Sequence, residues 1–127
     1  MKGCEPVRHP VTGQQVVRAL SIRQPYVEAI LRGEKTIEYR SRATRILNEP
    51  FYLYASKIAG PAEMFDAMGF QVGDLPTGLL VGIAEISHCH QAGDRDYHWY
   101  LNGVICLDEP VVAHPKRRPQ PMWWLAF

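Results

Sequence analysis

Apolar and polar positions along the chain come in short runs whose period keeps changing. Val16 to Ile22 is apolar, broken by Arg18 and Ser21, and predicts a first strand. Pro25 then opens a helix at the first helical position, where its missing N–H costs nothing. Val27, Ile30 and Leu31 fall on one face at i, i+3 and i+4. Glu28 near the start and Arg32 in the last turn suit the helix dipole, and Gly33 supplies the stop. From Lys35 to Arg40 the period becomes two: Thr36, Glu38 and Arg40 alternate with Ile37 and Tyr39, which predicts a second strand.

Ser41 to Pro50 reads as a loop made basic by Arg42 and Arg45. Phe51 to Ala55, FYLYA, is a strand bounded by Pro50 and Gly60. Pro61 starts a short helix with Met64, Phe65 and Met68 on one face, closed by Gly69. Residues 70–78 form a loop, and Gly78 to His90 is a long apolar strand in which Gly82 marks a bulge or bend. Gln91 to Asp96 reads as an acidic turn. Tyr97 to Leu107 reads as a strand, or as a strand pair broken at the hairpin dipeptide Asn102-Gly103. Val111 to Ala113 is short and apolar, His114 to Pro121 is proline-rich and basic, and Met122 to Phe127 fits an edge strand. Residues 1–16 show no periodicity and read as an extended arm before a single domain over 17–127. About six or seven strands with two short helices predict an α+β domain, a strongly curved sheet or small barrel with helices plugging its ends.

Composition adds distribution more than bulk. The 127 residues have a formal net charge of +1. Residues 1–57 carry 10 Lys and Arg against 5 Asp and Glu, residues 58–113 carry 1 against 8, and residues 114–127 carry 3 against none. If folding joins the two basic parts, one face attracts polyanions; otherwise they are separate solvated faces. Three cysteines, Cys4, Cys89 and Cys106, without a CxxC pair, fit a reducing compartment and not a disulfide scaffold. No apolar run reaches the roughly 20 residues of a membrane helix, and the first residues lack a signal-peptide core, so a cytoplasmic protein is expected. There is no GxxxxGK[ST] loop for nucleotide hydrolysis. His88-Cys89-His90, with His98 nearby, falls short of a zinc ligand set. No metal or other cofactor is expected.

The run Leu20-Ser21-Ile22-Arg23-Gln24-Pro25, the segment with Gly33, Lys35, Glu38 and Arg40, and the strand end Ala55-Ser56-Lys57 resemble the ASCH domain family, a branch of the PUA-like superfamily. Gly78 to Ile86 resembles that family's next barrel strand. The resemblance implies a PUA-like β-barrel with a cleft between the barrel and the opening helix, lined by the Lys/Glu/Arg segment. It also implies an RNA-linked role. Some members look like ribonucleases, and one bacterial branch is an N4-acetylcytidine amidohydrolase using a lysine, a threonine and a glutamate. Its lysine would match Lys35, but Glu38 stands at the position of its threonine, and its glutamate has no assigned counterpart here.

Several residues are candidates for ligand contact in such a cleft. Lys35 could bind a phosphate, polarise a carbonyl or act as a base. Glu38 could orient the cations or accept a proton, and Arg40 offers a planar fork for a phosphate or a base edge. The plainer reading makes the three a structural ion-pair cluster. Lys35 can join the other two only from the turn after Gly33, because in a regular strand it would face the other way. Ser21 and Gln24 flank the helix start, either as an anion site or, for Gln24, as a cap. Tyr26 is the best stacking candidate, and Ser56 and Lys57 would close the cleft from the far side. Arg23, Arg40, Arg42, Arg45 and Lys57 would meet phosphate in an RNA- or nucleotide-binding module. Lys35 and Glu38 would be the chemical pair in a hydrolase of RNA or of a modified nucleoside. A third reading is a protein-interaction domain with the acidic middle as its surface. Lys116-Arg117-Arg118 either extends an RNA footprint or solubilises an edge strand. The sequence leaves the oligomeric state open.

Overall fold

The structure, a computed structural model, describes residues 6–127; residues 1–5, with Cys4, lie outside it. Strands β1 (Arg18–Ile22), β2 (Ile37–Arg40), β3 (Phe51–Ala55), β4 (Leu79–Gly93), β5 (Asp96–Val111) and β6 (Trp123–Leu125) join helices α1 (Tyr26–Leu31) and α2 (Ala62–Ala67). The strands form one sheet in the order β2-β5-β4-β3-β1-β6. Among the described strands only β1 and β3 pair in parallel, and α1 and β2 lie between them in sequence. The β1–β3 pair is central and covered on both faces, which explains why FYLYA is a continuous apolar run.

The two faces of the β1–β3 pair carry separate cores. Leu20, Ile22, Phe51 and Leu53 pack with Val27 and Ile30 of α1 and with Trp99. Ala19, Tyr52, Tyr54 and Leu80 pack with Val16, Val111 and Trp124. Residues 7–16 turn back on themselves through an Arg8–Gln15 bridge, and the Val7 N–H donates to the Tyr52 hydroxyl at 2.6 Å. Burial pushes the Tyr52 and Tyr54 phenols above their ordinary pKa.

The expected barrel is not closed by strand pairing. The described strands number six, and β2 and β6 remain unpaired ends of the sheet. The sheet curls until these ends approach, and side chains bridge the gap. Trp99 of β5 stacks on Trp123 of β6 with centroids 5.8 Å apart and planes at 7°. Arg40 of β2 donates to the Ser21 carbonyl of β1 at 2.7 Å and to the Pro121 carbonyl at 3.3 Å. Gly82 allows the tight curl: a Cβ there would lie 2.5 Å from Leu31 Cδ2 and 2.9 Å from the Ile105 carbonyl.

Pairing along β4 and β5 settles two local points. Of the two readings of Tyr97 to Leu107, the single strand is the one formed: β5 runs through Asn102-Gly103, which is not a hairpin tip. Ile83 pairs with Ile105 and Glu85 with Asn102, so β5 carries one extra residue at a bulge where Gly103 has φ of 57°. Gln91 to Asp96 is not a loop throughout: Gly93 pairs with Asp96, leaving only Asp94 and Arg95 as the connection. Among the described residues, no helix is long and apolar enough to cross a membrane.

Candidate functional site

The parallel strands β1 and β3 end side by side, and the chain leaving them borders a cleft of about 900 Å³. Ser21, Ile22 and Arg23 form one side, Ser56, Lys57 and Ile58 another. Tyr26 of α1 and the Lys35–Arg40 segment form the third wall, and Arg118 to Pro121 close the rim. Arg23, Lys35, Arg40, Lys57 and Arg118 set five cations against the single carboxylate of Glu38. The first half and the tail, both basic, do meet on one face.

Lys35 precedes β2. The Glu34 and Lys35 N–H groups both donate to the Ala29 carbonyl, at 2.9 and 3.1 Å, which holds this turn against the end of α1. Gly33, with φ of 76°, makes the turn possible. From there the Lys35 ammonium donates to the Ile37 carbonyl and lies 3.4 Å from Glu38 Oε1 and 4.7 Å from the centre of the Tyr39 ring. An ammonium has three donors, and these contacts to Ile37 and Glu38 use two of them.

Glu38 is buried, with 7% of its surface exposed. Its Oε2 accepts from Arg40 Nε at 2.8 Å and Nη2 at 2.7 Å. Arg40 also donates to Ser21 and Pro121 carbonyls, so four of its five N–H donors are engaged within the fold. The structural reading of the cluster therefore describes Glu38 and Arg40 well. Lys35 keeps spare donor capacity.

Other predicted residues divide sharply. Tyr26 borders the cleft, held by Gly60, whose N–H donates to the Gln24 carbonyl at 2.7 Å; a Cβ on Gly60 would sit 3.0 Å from the Tyr26 ring. The Lys57 stem packs over Gly78, where a Cβ would come within 3.2 Å of it. Ser21 borders the cleft, but its hydroxyl donates to the Gln120 carbonyl at 2.6 Å and accepts from Trp124 Nε1 at 2.9 Å. Gln24 is fully buried away from the cleft. Its Oε1 caps α1 by accepting from the Glu28 N–H, and its Nε2 donates to the Pro76 carbonyl. Arg42 and Arg45 do not border the cleft either; the Arg42 carbonyl accepts from Trp99 Nε1 at 2.9 Å.

Tyr39, Tyr54 and the rim at Arg118 to Pro121 complete the lining; of these the sequence offered only Arg118, as part of the basic run that could extend an RNA footprint. The basic run before Pro119 was the only available signal for the rim. His88 stacks on Tyr100 and His90 faces His98 on the β4–β5 arm; among the described residues no three His, Cys, Asp or Glu side chains converge as a metal site requires.

Comparison with known proteins agrees with this architecture. No curated protein matches the sequence. The chain is similar in fold to the crystal structure of ASCH from Zymomonas mobilis, with a TM-score of 0.53 and 14% identity, over 75% of this chain and 72% of that one. The family model described as the ASCH domain matches residues 20–117, from β1 into the basic loop before β6. The chain belongs to the ASCH domain family, within the PUA-like superfamily.

Proposed function

We propose that the cleft binds RNA or a nucleotide, with Lys35 as its central anion contact. The observation that carries this reading is the concentration of five cations around one carboxylate in a protein whose formal net charge is only +1. Arg23, Lys57 and Arg118 have no ion-pair partner among the described residues, so they can meet phosphate without first breaking a contact. Tyr26 offers a ring beside these cations on which a base can stack. Glu38 holds Arg40 and Lys35 in position. In the hydrolase alternative Lys35 and Glu38 are the chemical pair; both Glu38 oxygens face cationic donors, which fits the orienting role for Glu38.

The test is a titration of fluorescently labelled single-stranded RNA. Affinity should fall steeply with salt. Lys35→Ala should weaken binding roughly tenfold to a hundredfold, the loss of one charge-assisted hydrogen bond, while changing stability by about 1 kcal/mol or less. Undiminished binding by a folded Lys35→Ala protein would refute the role of Lys35. Cleavage of the RNA, or deacetylation of N4-acetylcytidine, that disappears in Lys35→Ala would replace binding with catalysis.

A further inference from the structure

A second groove, of about 620 Å³, lies beyond the rim of the first. Lys116, Arg117 and Arg118 stand along it, with Trp123 and Phe127 among its aromatic residues. Arg118 and Gln120 border both spaces, so the loop between β5 and β6 is a ridge shared by two adjacent grooves. No acidic residue occurs from residue 114 to the end of the chain, and none of these three cations has an ion-pair partner among the described residues.

The ridge is anchored at its base. The Gln120 carbonyl accepts from the Ser21 hydroxyl, the Pro121 carbonyl accepts from Arg40, and the Met122 carbonyl accepts from the Ser21 N–H at 3.1 Å. Pro115, Pro119 and Pro121 further restrict the backbone. A cationic loop held in place in advance loses less entropy when it binds. The Trp124 indole N–H is committed to Ser21; Trp123, stacked on Trp99, and Phe127 are half-buried and keep part of their surface toward the groove.

We infer that the ligand is a single-stranded RNA segment longer than one nucleotide, whose backbone crosses the 114–121 ridge so that successive nucleotides occupy the two grooves. This rests on the nucleotide-binding reading of the first cleft and extends it to a polymer. Cations and aromatic rings lining two adjacent grooves that share Arg118 and Gln120 are what a phosphate backbone with stackable bases requires. A purely acidic peptide would use the cations and leave the rings idle.

Calorimetry with uridine monophosphate and with oligouridylates of two, four and eight nucleotides tests this on wild type, Lys116→Ala/Arg117→Ala and Lys35→Ala. Wild type should bind the tetranucleotide at least about tenfold more tightly than the mononucleotide, as added phosphate and stacking contacts require. The double variant should lose about tenfold in tetranucleotide affinity and leave the mononucleotide within about twofold. Its plot of log K against log salt should become shallower by roughly 1.4, two single-strand phosphate contacts at about 0.7 each. Lys35→Ala should weaken every ligand. If oligomers bind no tighter than the monomer, or the double variant matches wild type while Lys35→Ala does not, the ridge inference is overturned and the first cleft stands. If Lys35→Ala weakens nothing, the cleft reading itself is overturned. Polyglutamate of equal charge binding as tightly as the octanucleotide would also overturn the inference.

Discussion

Replacing Trp99 by alanine is expected to cost about 4 kcal/mol of stability, the largest effect of any single substitution considered for this protein. Trp99 is fully buried on β5, opposite Glu38 of β2 and Cys89 of β4. Its ring stacks on Trp123 from the other end of the sheet, and Trp123 in turn meets Phe51 edge-on at 4.9 Å. The Arg40 guanidinium carbon lies 5.6 Å from the ring centre. The indole N–H holds the Arg42 carbonyl, and with it the loop after β2. Alanine removes the stack, the hydrogen bond and the volume together. Among the described residues no backbone ladder crosses the seam between β2 and β6 to compensate. Thermal unfolding should show a fall in Tm of roughly 10–20 °C. Trp99→Phe should lose about half as much, because it keeps a ring in the stack but leaves the Arg42 carbonyl without its donor. A loss below about 1 kcal/mol for Trp99→Ala would mean that the seam does not depend on these rings.

Glu38→Ala is expected to cost about 2–3 kcal/mol and to loosen the rim of the cleft. Removing one partner of a buried ion pair ordinarily costs about 3–5 kcal/mol, because the remaining charge is left uncompensated. Here Arg40 and Lys35 keep 16% and 18% side-chain exposure, so water offsets part of that cost. The consequence extends beyond the pair. Arg40, freed from Glu38, holds the Ser21 and Pro121 carbonyls less firmly, and the seam on that side depends on those bonds. Chemical denaturation of Glu38→Ala, Arg40→Ala and the double variant measures this. The double variant should cost at least about 1 kcal/mol less than the two singles added together, because each single strands the other's charge. Additive losses would show that Glu38 and Arg40 act independently.

What was legible in the sequence follows from range. The apolar face of α1, the stop at Gly33 and the run FYLYA are set by neighbours within a few residues, and the fold respects them. The position of Lys35 in the turn before β2 was also readable, because strand alternation forbids any other way for it to meet Glu38. Asn102-Gly103 left strand and strand pair open because a strong local turn signal serves equally for a glycine bulge, and pairing with β4 decides between them. For Gln24 the sequence left two readings, anion site or helix cap; the Glu28 N–H four residues on selects the cap, while the Pro76 carbonyl that takes its Nε2, 52 residues away, had no local signal. The same holds for closure: Arg40 reaches Pro121 across 81 residues, and no local pattern encodes that contact.

Backbone amide mapping tests the central claim most directly. Isotopically labelled protein titrated with a short oligouridylate should show its largest resonance changes at Ile22–Arg23, Tyr26, Lys35–Arg40, Ser56–Ile58 and Gln120, with little change at the Asp94–Asp96 tip of the β4–β5 arm. The largest changes at that acidic tip, or none anywhere at millimolar ligand, would contradict an RNA-binding cleft at the ends of β1 and β3.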